Sequence, residues 1–248
     1  MLKKKKLFLL IAVLIILGIG TIGYWLFLAP PDNFPNKKAA INEIMDKFPE
    51  ANIKDMQDII YLDKKHVYIP FITKNDSYGL SFWQWQKHEW QFISIDTGAT
   101  PRIWKIDPEN PASHFIVWNF HPENNLHYLT FYLIKDRGYS INEGKHNYQP
   151  SVQMDIKAEL EGKTSFGHTR IPLDWCEFML SENKLMASIN PDPLFSNFFP
   201  PAQYYFGWRS VAKDGYDDYP PFPKNTNGFG TGDSLIEQIR YIDKQELE

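Results

Sequence analysis

Leu80-Ser-Phe-Trp-Gln-Trp-Gln-Lys-His-Glu-Trp-Gln-Phe-Ile-Ser-Ile-Asp96 holds two aromatic and β-branched runs, Leu80 to Gln86 and Trp90 to Ile95, around a polar break. That is the pattern of a β-hairpin. A two-residue loop at His88-Glu89 sets Trp85 opposite Phe92 and Trp83 opposite Ser94. Trp83, Trp85, Trp90 and Phe92 then share one face, and Leu80, Phe82, Ile93 and Ile95 share the other. A three-residue loop, Lys87 to Glu89, splits the aromatic set between faces. Cross-strand aromatic pairs contribute up to about 1 kcal/mol each, which favours the two-residue register. If exposed, the rings of Trp83, Trp85, Trp90 and Phe92 form a binding platform for a glycan or an extended peptide. If covered, they are core. Aromatics make up 16% of the chain, and a bulky β-core is the expected use of them. The Pro-rich, ring-rich segment after Pro191 is the expected cover.

Outward from the hairpin, further strand-length runs lie at His66 to Thr73, His114 to Phe120 and Leu126 to Ile134. The turn clusters between them are too short for crossover helices, so neighbouring strands should be antiparallel and form a meander. Pro70 lacks an N–H and belongs at a sheet edge. Val152 to Leu160 alternates apolar and polar residues without fault, so one face of that strand meets water. Asn36 caps a helix whose stripe is Ala40, Ile41, Ile44, Met45 and Phe48, stopped by Pro49. Pro172 to Leu180 reads equally as helix or strand. Ser234-Leu-Ile-Glu237 has the form of a capping box, with Ile239 and Ile242 on the stripe of Leu235 and Ile236, and predicts a terminal amphipathic helix. The expected fold is α+β: an antiparallel β-meander sheet flanked by an N-terminal and a C-terminal helix, preceded by one transmembrane helix.

That preceding helix follows from Leu7 to Leu28, twenty-two residues without a charge, the length of a bilayer span. Lys3, Lys4, Lys5 and Lys6 stand before it and Asp32 after it, so the positive-inside bias keeps residues 1–6 cytoplasmic. Residues 7–28 then form an uncleaved signal-anchor, 29–35 a stiff Pro-rich connector, and 36–248 an extracytoplasmic domain. The apolar run exceeds the core of a cleaved signal peptide, and Phe27 occupies the position where cleavage after Ala29 needs a small residue.

The chain of 248 residues carries a net charge of −4, but its basic tail masks the rest: without Lys3 to Lys6, 22 basic residues face 30 acidic ones. Such a body excludes nucleic acid as its main partner. A lone Cys176 excludes internal disulfides and Cys-rich zinc sites. His121, Glu123 and His127 are the one grouping with a metal-like composition, and satisfied turn histidines are the commoner use of such residues. No metal and no cofactor is expected. Asp214, Asp217 and Asp218 lack calcium-loop spacing and read as a solvated tip.

Ile93-Ser-Ile-Asp96-Thr-Gly-Ala99 resembles the catalytic Asp-Thr-Gly-Ala loop of aspartic peptidases, which also follows a hydrophobic strand. The resemblance covers under ten residues and implies Asp96 as a catalytic carboxylate. In that family two such Asp residues share a proton, and the sequence holds no second Asp-Thr-Gly. The expectation is therefore a membrane-anchored binding or assembly module of the cell envelope, held in the membrane through residues 7–28. An envelope protein or glycan is its expected partner, and an Asp96 hydrolase is the alternative.

Overall fold

The structure, a computed structural model, describes residues 2–27, 29–98, 100–142, 144–160, 166–189, 204–217, 219–220, 228–230 and 235–247. It is α+β, with antiparallel sheets and three helices. In chain order these are α1 (Leu2–Phe27), α2 (Lys37–Lys47), β1 (Ile53–Met56), β2 (Ile60–Tyr61), β3 (His66–Thr73), β4 (Tyr78–Gln86), β5 (Glu89–Asp96), β6 (Arg102–Lys105), β7 (His114–Asn119), β8 (Leu126–Lys135), β9 (Gly138–Asn142), β10 (Lys145–Gln149), β11 (Val152–Glu159), β12 (Phe166–Arg170), α3 (Leu173–Ile189), β13 (Tyr204–Ala212), β14 (Gly228–Gly230), β15 (Ile236–Gln238) and β16 (Arg240–Tyr241).

The single meander expected from the short turns is divided among three sheets, and β9 and β10 pair as a separate two-stranded fourth. The first runs β1-β3-β4-β5-β14, with β2 also on β3; the second runs β12-β7-β6-β15; the third runs β11-β8-β13-β16. Residue alternation explains the division. Along β7, Phe115 and Val117 join Tyr68, Leu80, Phe82 and Trp104 in one cluster, while Ile116 and Trp118 join Phe131, Leu133, Phe206 and Trp208 in another. Every residue of β7 is buried. A strand apolar on both faces needs a layer on each side, so β6 and β7 leave the meander and lie between the other two sheets. The third sheet shows the opposite pattern at β11, where alternate residues are exposed.

Asn36 Oδ1 accepts from the Ala39 N–H at 3.0 Å and opens α2, satisfying one of the free donors of the first turn. Pro172 to Leu180 resolves as the start of α3, which buries Trp175, Cys176 and Met179 against the second and third sheets. Pro70 is not on an edge strand, since β3 lies between β4 and the β1/β2 side. It occupies a local gap instead. β1 stops at Met56 and β2 starts at Ile60, and the Pro70 carbonyl accepts from the Gln57 N–H at 2.8 Å. Its ring nitrogen faces the same interruption.

The terminal helix is corrected to two short strands and a single 3-10 turn, Lys244–Glu246. β15 pairs with β6, and β16 runs parallel to β13. Ile239 and Ile242 enter different apolar clusters, one between the second and third sheets and one on the third sheet's outer face. The helical spacing is real, but pairing two open sheet edges outweighs it. A capping box does form, at Asp243 and Glu246.

His114 lies in the middle layer, 1% exposed, with Nδ1 lacking a hydrogen-bond partner among the described residues. Burial, reinforced by Lys105, lowers its pKa to about 4. The unfolded chain takes up this proton near pH 6.5 and the folded chain only near 4. Stability is therefore complete above about pH 6.5 and falls as the pH drops toward 4, by on the order of 2 kcal/mol for this group. Urea unfolding of the full chain in detergent micelles at pH 7.5 and 4.5 measures it. The difference between the two pH values should shrink by about that amount in His114→Gln.

Candidate functional site

The β4–β5 hairpin turns on Lys87 and His88, both at positive φ (52° and 63°), as a two-residue turn matched to strand twist requires. Gln86 closes the turn against Glu89, Trp85 pairs with Trp90, and Trp83 pairs with Phe92. The loop is thus one residue earlier than the expected His88-Glu89. A bulge after Phe92 then sets Phe82 opposite Ser94 and Ser81 opposite Ile95. The four aromatics share one face as expected, but Ile95 moves to their side.

Those rings are core. Trp83 is 0% exposed, Phe92 2%, and Trp85 and Trp90 7% each. Their cover is α2, through Ala40 and Ile44, together with Phe34, which meets Trp83 and Trp90 edge-on at 5.3 and 5.2 Å. Of the segment after Pro191, only Phe229 among the described residues reaches this cluster, stacking on Phe92 at 6.2 Å. The Trp90 Nε1–H donates to the Asp32 carbonyl at 2.9 Å. The connector is therefore packed into the domain and is not a free spacer. Trp25, near the end of α1, stacks on the His88 ring at 3.7 Å.

The opposite face of the same hairpin is open at its tip. Farther along, Tyr68, Leu80 and Phe82 pack on the second sheet. Nearer the turn that sheet ends, leaving a groove of about 790 Å³ that reaches around the β5 edge. Its floor carries Gln84, Gln86 and Gln91, and Trp104, Lys105 and Leu235 stand on its far side. The Gln86 amide donates to Gln84 Oε1 at 2.6 Å, and the Gln91 amide donates to Glu89 Oε1 at 2.9 Å. Lys105 is paired to Glu237 at 2.6 Å. His66 lines the groove with its ring edge-on to Trp104 at 5.1 Å, and its Nδ1 lies 2.8 and 2.9 Å from the Asp63 carboxylate oxygens. Burial raises the Asp63 carboxyl, yet the hydrogen bonds from His66 and the Lys65 N–H outweigh this and hold it below the usual carboxylate range. The groove is a hydrogen-bonding surface whose three amides stand among four charged residues, Glu43, Lys47, Glu89 and Lys105, the first two paired with each other at 2.9 Å. With two acidic and two basic residues the lining carries no net charge, so it is suited to polar ligands without a net charge, and it lacks an exposed ring face for stacking a sugar.

Asp96 lies away from this groove, 5% exposed at the end of β5. Its Oδ1 accepts from the Gly98 N–H at 2.9 Å, and its Oδ2 accepts from Arg102 Nε and Nη2 at 2.7 and 2.6 Å. Burial raises the carboxyl, opposed by the Arg102 charge and the Gly98 hydrogen bond. An ion pair with an arginine occupies the oxygen that a shared proton and a water need in the peptidase arrangement, so the geometry is that of a clamp between β5 and β6.

The remaining sequence candidates separate. His121 caps a single 3-10 turn, Pro122–Asn124, by accepting from the Glu123 N–H, and lies 3.0 Å from Asp76; His127 faces Glu159 at 3.7 Å. Among the described residues no group of three or more His, Cys, Asp or Glu is placed to hold a metal ion. Asp217 is no free tip residue, because it pairs with the buried Arg209 at 2.7 Å. Asp218 lies outside the described residues.

The glutamines of the groove are not marked as a site in the sequence, because they alternate with the tryptophans and read as the polar face of the same strands. The signal was present in Gln84, Gln86 and Gln91, three amides on one face of a hairpin where charged residues are the commoner choice. No protein-family model, curated protein or solved structure matches this chain, so the reading of the groove rests on its own residues.

Proposed function

We propose that the chain is a membrane-anchored, extracytoplasmic binding or assembly module of the cell envelope that receives a polypeptide ligand in the amide-lined groove at the tip of the β4–β5 hairpin. The observation that carries this is the groove itself: an open surface of amide donors and acceptors and balanced charges beside an otherwise packed aromatic core. Sugar stacking is disfavoured because Trp104 and Trp90 are 3% and 7% exposed. Asp96, clamped by Arg102, gives the hydrolase reading no support.

The anchor rests on the sequence. Leu7 to Leu28 is uncharged and follows four lysines, and apolar side chains such as Phe8, Leu14, Ile16 and Ile19 point outward from α1. Among the described residues no helix is long and apolar enough to cross a membrane, and this does not bear on the anchor's sequence signal. The Trp25 stack on His88 supports a hairpin tip close to the outer membrane surface, where an indole ring is well placed.

One experiment in intact cells tests both parts. With Cys176→Ser and Lys213→Cys in the full chain, a membrane-impermeant maleimide should label without lysis. A benzophenone amino acid at Gln86 should crosslink to a polypeptide, while the same group at Lys213 should not. Labelling only after lysis overturns the orientation, and equal crosslinking at the two positions overturns the groove.

A further inference from the structure

The end of the first sheet that carries the β4–β5 turn is also the end tied to α1. β3 begins and β4 ends there, with His66 opposite Gln84. The Trp85 N–H donates to the Lys65 carbonyl at 2.8 Å, which sets the β2–β3 connection beside the Lys87-His88 turn. Three contacts join this end to α1 and the connector. Trp25 stacks on His88 at 3.7 Å, the Trp90 Nε1–H donates to the Asp32 carbonyl at 2.9 Å, and the Phe34 N–H donates to the Tyr61 hydroxyl at 3.3 Å. Lys64 and Lys87 stand exposed on the two turns, and among the described residues neither side chain has a partner. The acids beside them are engaged: Asp63 accepts from the Lys65 N–H at 2.7 Å and lies 2.8 Å from His66 Nδ1, and Glu89 accepts from the Gln91 amide at 2.9 Å.

Building on the reading of residues 7–28 as a membrane anchor, we propose that this end of the first sheet docks on phospholipid headgroups of the outer leaflet, with Lys64 and Lys87 on the lipid phosphates. The anchor sets the depth. From Leu7 to Phe27 α1 rises about 31 Å, and a hydrocarbon core is about 30 Å thick. Trp25 lies two residues from the end of α1, so it and the His88 ring stacked on it stand about 3 Å from the boundary between hydrocarbon and headgroups. Tyr24, Trp25 and Tyr61 are half-exposed or more, and rings with one polar edge favour that boundary. Lysine extends an apolar stem through such a layer and carries its ammonium to the phosphate plane. Gln86 and Glu89 flank the turn and also line the groove, so a docked tip holds that end of the groove at the membrane surface.

The test places single nitroxide spin labels on the full chain, carrying Cys176→Ser, in nanodiscs of phosphatidylcholine with phosphatidylglycerol. Depth is read from spin relaxation by oxygen and by a water-soluble nickel chelate. A label on Gln86→Cys should report headgroup depth, one on Leu14→Cys the hydrocarbon, and one on Lys213→Cys open water. Lys64→Glu with Lys87→Glu should lower the docked-to-undocked ratio at Gln86 by about thirtyfold, about fivefold for each lysine lost from an anionic surface. Both lysines are exposed, so the fold should survive the change. A Gln86 label as water-accessible as the one at Lys213, with Leu14 in the hydrocarbon, would overturn docking and leave the anchor standing. A Leu14 label in water would overturn the two together, and a Gln86 label that keeps headgroup depth in the double variant would overturn the contact between lysine and phosphate.

Discussion

Trp83→Ala should cost about 3 to 5 kcal/mol of folding stability, the range for truncating a large buried ring. Trp83 is fully buried, one neighbour of its ring being Phe34 at 5.3 Å and another Phe92 at 5.3 Å. Its Nε1–H donates to Ser81 Oγ at 3.1 Å, and Ser81 is also fully buried. Alanine would open a cavity beneath α2 and remove the donor from a hydroxyl that water does not reach. The loss should appear in the urea midpoint of the full chain in micelles. It should exceed that of Gln84→Ala on the open face of the same strand, which should stay within about 0.5 kcal/mol of the parent. Near-equal effects would mean that the aromatic face is not the core. Because Phe34 lies within the connector, Trp83→Ala should also loosen residues 29–35, read as faster amide exchange there.

The strands that turn chemistry and period-2 alternation define were legible in the sequence. His66–Thr73 appears with the expected bounds, and Val152–Glu159 alternates in burial as its residues alternate in polarity. The hairpin register was not fully legible. A turn at Lys87-His88 uses two residues that rarely take positive φ, so no Asn-Gly or Asp-Gly signal marked it. The bulge that moves Ile95 leaves no trace in composition. The C-terminal stripe failed for a different reason. Leu235, Ile236, Ile239 and Ile242 have helical spacing, but two sheets offer unpaired edges there, and whether an edge is free depends on the whole fold. The groove shares that dependence. Gln84, Gln86 and Gln91 line a groove only because the second sheet stops short of the hairpin tip, and an offset between sheets is not written in either strand.

Arg102→Met should cost about 3 to 5 kcal/mol at pH 7, the penalty for removing one partner of a buried ion pair. The substitution keeps the aliphatic stem but takes away both donors to Asp96 Oδ2, leaving a 5%-exposed carboxylate with the Gly98 N–H alone. Asp96 ends β5 and Arg102 begins β6, so the pair fixes the step at which the chain passes from the first sheet to the second. Without Arg102, nothing of comparable strength opposes the upward push of burial on the Asp96 carboxyl. The folded chain then holds a proton that the unfolded chain has released. Stability of the variant falls as pH rises through the ordinary carboxylate range, and its deficit against the parent shrinks on acidification toward pH 4. Asp96→Asn combined with Arg102→Met should recover more than half of the loss, because the buried charge is gone. A double-mutant cycle by urea unfolding at pH 7 measures the coupling. Coupling near zero, or a deficit that does not change with pH, would separate Asp96 from Arg102 and reopen the carboxylate to a chemical role; strong coupling instead makes the Asp-Thr-Gly sequence a turn whose aspartate is committed to holding two sheets together.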